Sequence, residues 1–162
     1  MFYTRVARMR NSSGFTLIET MLVVAMVGVL AGIAAPAVVA GMDRYEVISA
    51  SQQVASTIRS ARYQAVGKNM VLRVRFDYPE TGQFQIVDAD DNAVGTVKYL
   101  DDDISFGDFT DLEFSTAGRL TSGLATSVVV TNGDANHDRT VAVSRNGQVE
   151  LHTHSDDVES EE

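Results

Sequence analysis

The longest uncharged stretch of the chain runs from Thr20 to Met42, 23 residues without an Asp, Glu, Lys or Arg. As an α-helix rising about 1.5 Å per residue it is long enough to cross a hydrocarbon core of about 30 Å. A chain that carries such a segment near its start either lives in two environments or discards the segment as a signal. The flank sets the orientation: residues 1–14 hold Arg5, Arg8 and Arg10 and no acid, so the N-terminus stays cytoplasmic and the remainder is exported. An ordinary secretory signal has the same outline, with small residues at Ala35-Pro36-Ala37 or Val38-Val39-Ala40 before a cut. Glu19 fits that reading badly, because a carboxylate at the edge of an apolar run costs about 2.5–3.5 kcal/mol on insertion scales.

Inside the run, Gly28 and Gly32 form a small-xxx-small face that lets another helix approach, or else reflect the general abundance of glycine in membrane helices. Pro36 lacks an N–H and is expected to kink the helix or loosen one turn, with Gly41 a second weak point. From Asp43 to Val66 the positions Val47, Val54, Ile58, Ala61 and Ala65 make one apolar stripe, which predicts an amphipathic helix ending near Gly67-Lys68-Asn69.

The period then changes. Met70, Leu72, Val74 and Phe76 alternate with Val71, Arg73 and Arg75, a half-buried strand, and strand-like runs recur at 84–87, 96–100, 112–114, 127–131, 140–144 and 148–152. Residues 77–82 and Asn146-Gly147 read as hairpin turns. The gaps are too short for helical crossovers, so the sheets are expected to be antiparallel and to close on the helical stripe, an α+β head. The divisions expected are 1–14 leader, 15–42 membrane helix, 43–69 its amphipathic continuation, 70–154 antiparallel head and 155–162 an acidic, disordered tail.

Catalytic chemistry finds little support. The chain has no cysteine and only His137, His152 and His154, with no Gly-x-Ser-x-Gly, His-Glu-x-x-His or phosphate-binding Gly-Lys-Ser/Thr pattern, so neither an enzyme nor a cofactor is expected. His152 and His154 share a strand face but lack a third ligand, and read as an exposed strand end. Asp134, Asn136 and Asp138 have the opening spacing of a calcium loop, but Arg139 and Arg145 stand where such a loop wants glycine and glutamate, so a polar turn is the reading. Charge is segregated along the chain: Arg59, Arg62, Lys68, Arg73 and Arg75 fall in an acid-free stretch, whereas Asp77 to Glu113 holds eleven acids against Lys98. The basic stretch is expected to be an interface toward an acidic subunit surface or lipid headgroups. The overall charge of −9 argues against a nucleic-acid coat.

Gly14-Phe15-Thr16-Leu17-Ile18-Glu19, behind arginines and ahead of the apolar run, resembles the type III signal of type IV pilins and type II secretion pseudopilins. The resemblance implies cleavage between Gly14 and Phe15 by a prepilin peptidase, methylation of the Phe15 amine, and retention of the helix in a filament. Glu19 would then neutralise the amine of a neighbouring Phe15, and Gly28, Gly32 and Pro36 would serve packing and flexibility. Ile58 followed by Arg59-Ser60-Ala61-Arg62-Tyr63-Gln64-Ala65-Val66, the Phe114-to-Leu120 segment and Thr140-Val141-Ala142-Val143 before Gly147 look like the GspH/FimT family of minor pseudopilins and minor pilins. A single-pass protein of the bacterial inner membrane is implied, its head periplasmic, its partners other pilins, the peptidase and inner-membrane lipid. Some relatives on DNA-uptake pili bind DNA through a Gly-Arg-x-Arg segment. Here Gly147-Gln148-Val149-Glu150 has neither arginine, which argues against DNA. The alternatives left open are an adhesive or DNA-binding tip protein and a soluble protein freed by signal peptidase.

Overall fold

The computed structural model describes residues 15–153, without the side chains of residues 35–40. The basic leader with Gly14, the acidic tail and His154 lie outside the described residues. The chain divides into two compact units between Ala40 and Gly41.

In the first unit the backbone from Leu17 belongs to helix α1, Leu17–Lys68. All side chains from Phe15 to Ala34 are exposed. The helical assignment runs through Pro36 and Gly41, so neither residue ends the helix.

In the second unit α1 acquires an inside. Val47, Ala50, Val54, Ile58, Ala61 and Ala65 are buried, so the helical period of the sequence is the period of burial. The helix ends on a Schellman motif: Asn69 takes a left-handed φ of 51°, its N–H donates to Val66 O, and Met70 N–H donates to Ala65 O at 3.1 Å. Met70 then packs against the core as the apolar residue such an end favours.

Eight strands follow: β1 Leu72–Phe76, β2 Gln83–Asp88, β3 Lys98–Tyr99, β4 Ser105–Phe106, β5 Leu112–Phe114, β6 Thr126–Thr131, β7 Arg139–Val143 and β8 Val149–Thr153. They make two antiparallel four-stranded sheets, sheet A in the order β3-β2-β1-β5 and sheet B in the order β4-β6-β7-β8. β1 keeps the expected alternation, Leu72, Val74 and Phe76 inward and the arginines outward. The run expected at 96–100 is a strand only at Lys98–Tyr99, and β4 was not legible in the sequence.

One core joins the helical stripe to both sheets, with Leu72, Val74, Phe84 and Phe114 from sheet A and Val128, Val130, Val141 and Val143 from sheet B. β4 is short because its work is done by one residue. Phe106 sits edge-on to Phe76 at 5.1 Å and to Phe84 at 5.7 Å, linking the sheets through aromatic contact.

Candidate functional site

The residues singled out by the N-terminal motif stand at the start of α1. Thr16 caps the helix: its Oγ1 accepts from Glu19 N–H at 3.3 Å, and its carbonyl accepts from Glu19 and Thr20 N–H. Thr-x-x-Glu is the spacing of a capping box, a signal that reading the motif for cleavage alone passes over. Glu19 thus occupies the first turn, where the helix dipole favours a carboxylate. Phe15 directly precedes this capped turn and is 79% exposed.

Further along, Leu22, Val23, Met26, Val27, Val29, Leu30 and Ile33 are all more than half exposed. A side-chain carbon added at Gly28 or Gly32 would meet nothing within 4 Å, so the small-residue face has no neighbour among the described residues. Leu17–Ala34 is a helix long and apolar enough to cross a membrane, and none of it is buried within the chain.

The five cations of the basic stretch are divided in space. β1 places Arg73 directly opposite Glu113 of β5, with an ion pair of 2.8 Å, and Asp91 lies 3.4 Å from the same guanidinium. The hydrogen bond that Arg73 donates to Glu113 does most to raise the Arg73 pKa, ahead of the attraction of the neighbouring carboxylates. Arg75 lies 3.4 Å from Asp111 and 3.5 Å from Asp91, and its guanidinium covers the Tyr78 ring at 3.9 Å. Strand pairing therefore brings the basic stretch against the acidic one that follows it in sequence.

The two helix arginines hold backbone instead. Arg59 Nη2 donates to Val149 O at 3.1 Å, and Arg62 Nε donates to Gly118 O at 3.0 Å. Around Arg62 the turns at Gly118 and Gly147 close tightly. Both have positive φ, and a Cβ on Gly147 would fall 2.4 Å from Gly118 O and 2.9 Å from Arg62 Nε. Only glycine fits. Lys68 donates to Gln64 on the same helix. Each of the five cations thus makes a bond within the chain, and one of these bonds, from Arg62 to Gly118, spans 56 positions.

The 134–138 segment closes on itself. Asp134 Oδ1 accepts from Asn136 N–H at 3.0 Å and from Asn136 Nδ2 at 2.9 Å, which holds the Asp134 carboxyl below its usual pKa, the backbone donor first among the causes. His137 Nδ1 lies 3.6 Å from the other oxygen. Among the described residues no three His, Cys, Asp or Glu side chains are grouped to hold a metal ion. His152 lies near Glu150 at 3.7 Å on β8.

Residues 9–35 match the family model of the prokaryotic N-terminal methylation motif. No protein of curated function matches the chain in sequence. In fold, the chain is similar to the type IV minor pilin FimU of Pseudomonas aeruginosa PAO1, at a TM-score of 0.61 and 18% identity over 73% of this chain and 96% of that one. It is also similar to the minor pseudopilin EpsH of the Vibrio cholerae type 2 secretion system, at a TM-score of 0.53 and 16% identity over 68% of this chain and 99% of that one. The chain therefore joins a prokaryotic N-terminal methylation motif to a fold similar to that of minor pilins and minor pseudopilins.

Proposed function

We propose that the chain is a minor pilin or minor pseudopilin, a structural subunit that enters a filament by its N-terminal helix. The observation that carries this reading is an apolar helix, exposed on every side from Phe15 to Ala34, joined to a matched methylation motif. That much apolar surface needs lipid before assembly and neighbouring helices after it. The leader is removed between Gly14 and Phe15 by a prepilin peptidase, and the Phe15 amine is methylated. The helix anchors the subunit in the inner membrane with the head on the periplasmic side. In the filament Glu19 neutralises the Phe15 amine of a neighbour, a pairing that makes an intramembrane carboxylate tolerable. Gly28 and Gly32 let the neighbouring helix approach, Pro36 lends flexibility, and the head makes contacts at the side or tip. Catalysis has no part in this role. DNA binding is disfavoured by the acids that hold Arg73 and Arg75.

Mass spectrometry of the mature protein's N-terminal peptide tests the processing. A peptide beginning at Phe15 and carrying one methyl group is the expected result; a start at Val38 or Gly41 would overturn the reading in favour of ordinary signal cleavage.

A further inference from the structure

Sheet B ends on β8, which has a strand neighbour only on its β7 side. The bond from Ser144 N–H to Gln148 O sets the phase of this ladder. Bonded and non-bonded pairs alternate from there, so Glu150 and His152 direct their backbone groups toward β7, and Val149 and Leu151 direct theirs outward. Arg59 agrees with this phase, since it reaches Val149 O from outside and leaves that oxygen a second lone pair. At Leu151 the outward N–H and C=O have no hydrogen bond among the described residues. Its side chain shares a face with the fully buried Val141, yet it is 39% exposed where the core ends. An unpaired edge with an uncovered leucine is a surface for another strand.

We propose that this edge pairs with β8 of a second copy of the chain, antiparallel about Leu151. The strand is complementary to itself in that register. Leu151 faces Leu151, Val149 faces Thr153, and Glu150 faces His152 on both sides of the two-fold axis. Glu150 and His152, 3.7 Å apart along their own strand, have side chains 70% and 47% exposed and so accessible to an opposite partner. The ladder phase permits shifts only in steps that keep Val149 and Leu151 hydrogen-bonded. One such shift sets Glu150 against Glu150, where like charges directly opposite are destabilising, and the other sets His152 against His152 and loses the carboxylate opposite the imidazole. Centring on Leu151 is the register that joins carboxylate to imidazole while covering the leucine. The inference concerns the head and does not depend on how the N-terminus is processed.

The chain has no cysteine, so introduced cysteines report without background. The full chain carrying Leu151→Cys, in membranes of the producing cells, is treated with copper phenanthroline. Opposed residues of a bonded pair stand about 5.5 Å apart between Cα atoms, within the disulfide range of about 4.4–6.8 Å. Leu151→Cys should give at least about tenfold more covalent dimer than Leu124→Cys, which replaces a leucine 66% exposed elsewhere on the head. Glu150→Cys and His152→Cys, co-expressed with different tags, should cross-link to each other, whereas either alone falls two positions out of register, about 7–8 Å or more, and should not. Equal dimer from Leu151→Cys and Leu124→Cys would overturn the proposal. So would a Leu151→Cys adduct containing another protein, or efficient dimerisation of Glu150→Cys alone.

Discussion

The two units differ in what their apolar residues have found. In the head, Val47, Ile58, Leu72, Phe84 and Phe114 are fully buried among one another. In the N-terminal unit Phe15, Leu17, Ile18 and Val24 are each more than 70% exposed. Composition does not separate them, since valine, leucine and isoleucine serve both. Patterning does: from Val47 onward apolar residues return at helical spacing, whereas from Met21 to Ala34 they surround the helix. A stripe closes on its own chain. A helix apolar all round waits for a solvent that is not water, so the first unit is stable through its surroundings and the second through itself.

The strongest way to break this comparison is a cavity. Phe114→Ala should cost the head about 3–5 kcal/mol, and Leu30→Ala should leave head stability unchanged, read by urea unfolding of the full chain in detergent with the near-ultraviolet tyrosine signal. A large effect of Leu30→Ala would show that the units share their stability. Next comes closure of the turns over α1. Gly147→Ala introduces a Cβ into a 2.4 Å approach at positive φ and should cost about 2–4 kcal/mol, with Arg62→Ala smaller at about 1–2 kcal/mol through the lost bond to Gly118 O. Glu19→Ala sharpens the comparison from the other side: filament incorporation should fall to background in an immunoblot of sheared filaments while head unfolding is unmoved. Comparable incorporation would discard the charge pairing.

The smallest expected effect is electrostatic. Asp88 accepts from Asn92 Nδ2 and from the backbone N–H groups of Asp90 and Asn92, which holds its carboxyl below the usual carboxylate range, the Asn92 side chain being the leading cause. A carboxyl whose folded pKa is depressed adds stability that is complete above its unfolded value and disappears as pH falls through the folded one. Head stability should therefore decline as pH drops below about 4, and Asp88→Ala should flatten that decline, measured as unfolding midpoint against pH.

Local periodicity and motif spacing made the helix stripe, the β1 alternation and the N-terminal motif legible, because each is written within a few neighbouring residues. The partners of the charged residues were not legible for the complementary reason. Arg73 and Glu113 lie 40 positions apart and become neighbours only when β5 pairs with β1, so a segregated sequence folds into a mixed surface. The Arg62 bond had no side-chain partner to search for, since its acceptor is a carbonyl. Its trace in the sequence is two turn glycines, Gly118 and Gly147. β4 escaped because two residues have no period, and Phe106 is there for its contacts with Phe76 and Phe84. The turn at 134–138 has the opening oxygen spacing of a cation loop, and its oxygens are held differently: Asp134 Oδ1 is engaged by Asn136, whereas Asp138 Oδ1 is buried without a hydrogen-bond partner among the described residues.

The meeting of Gly118, Gly147 and Arg62 leaves residues 119–146 as an excursion whose two ends are fastened together at the helix. Within it the β6–β7 hairpin reaches out to Gly133, Asp134, Ala135 and Asn136, all exposed and bonded only within their own turn or to adjacent residues. Because the base is closed independently, lengthening the tip adds only loop entropy, about 0.6 kcal/mol for each doubling. An epitope or fluorophore peptide inserted after Gly133 would give the subunit a handle that leaves its architecture intact.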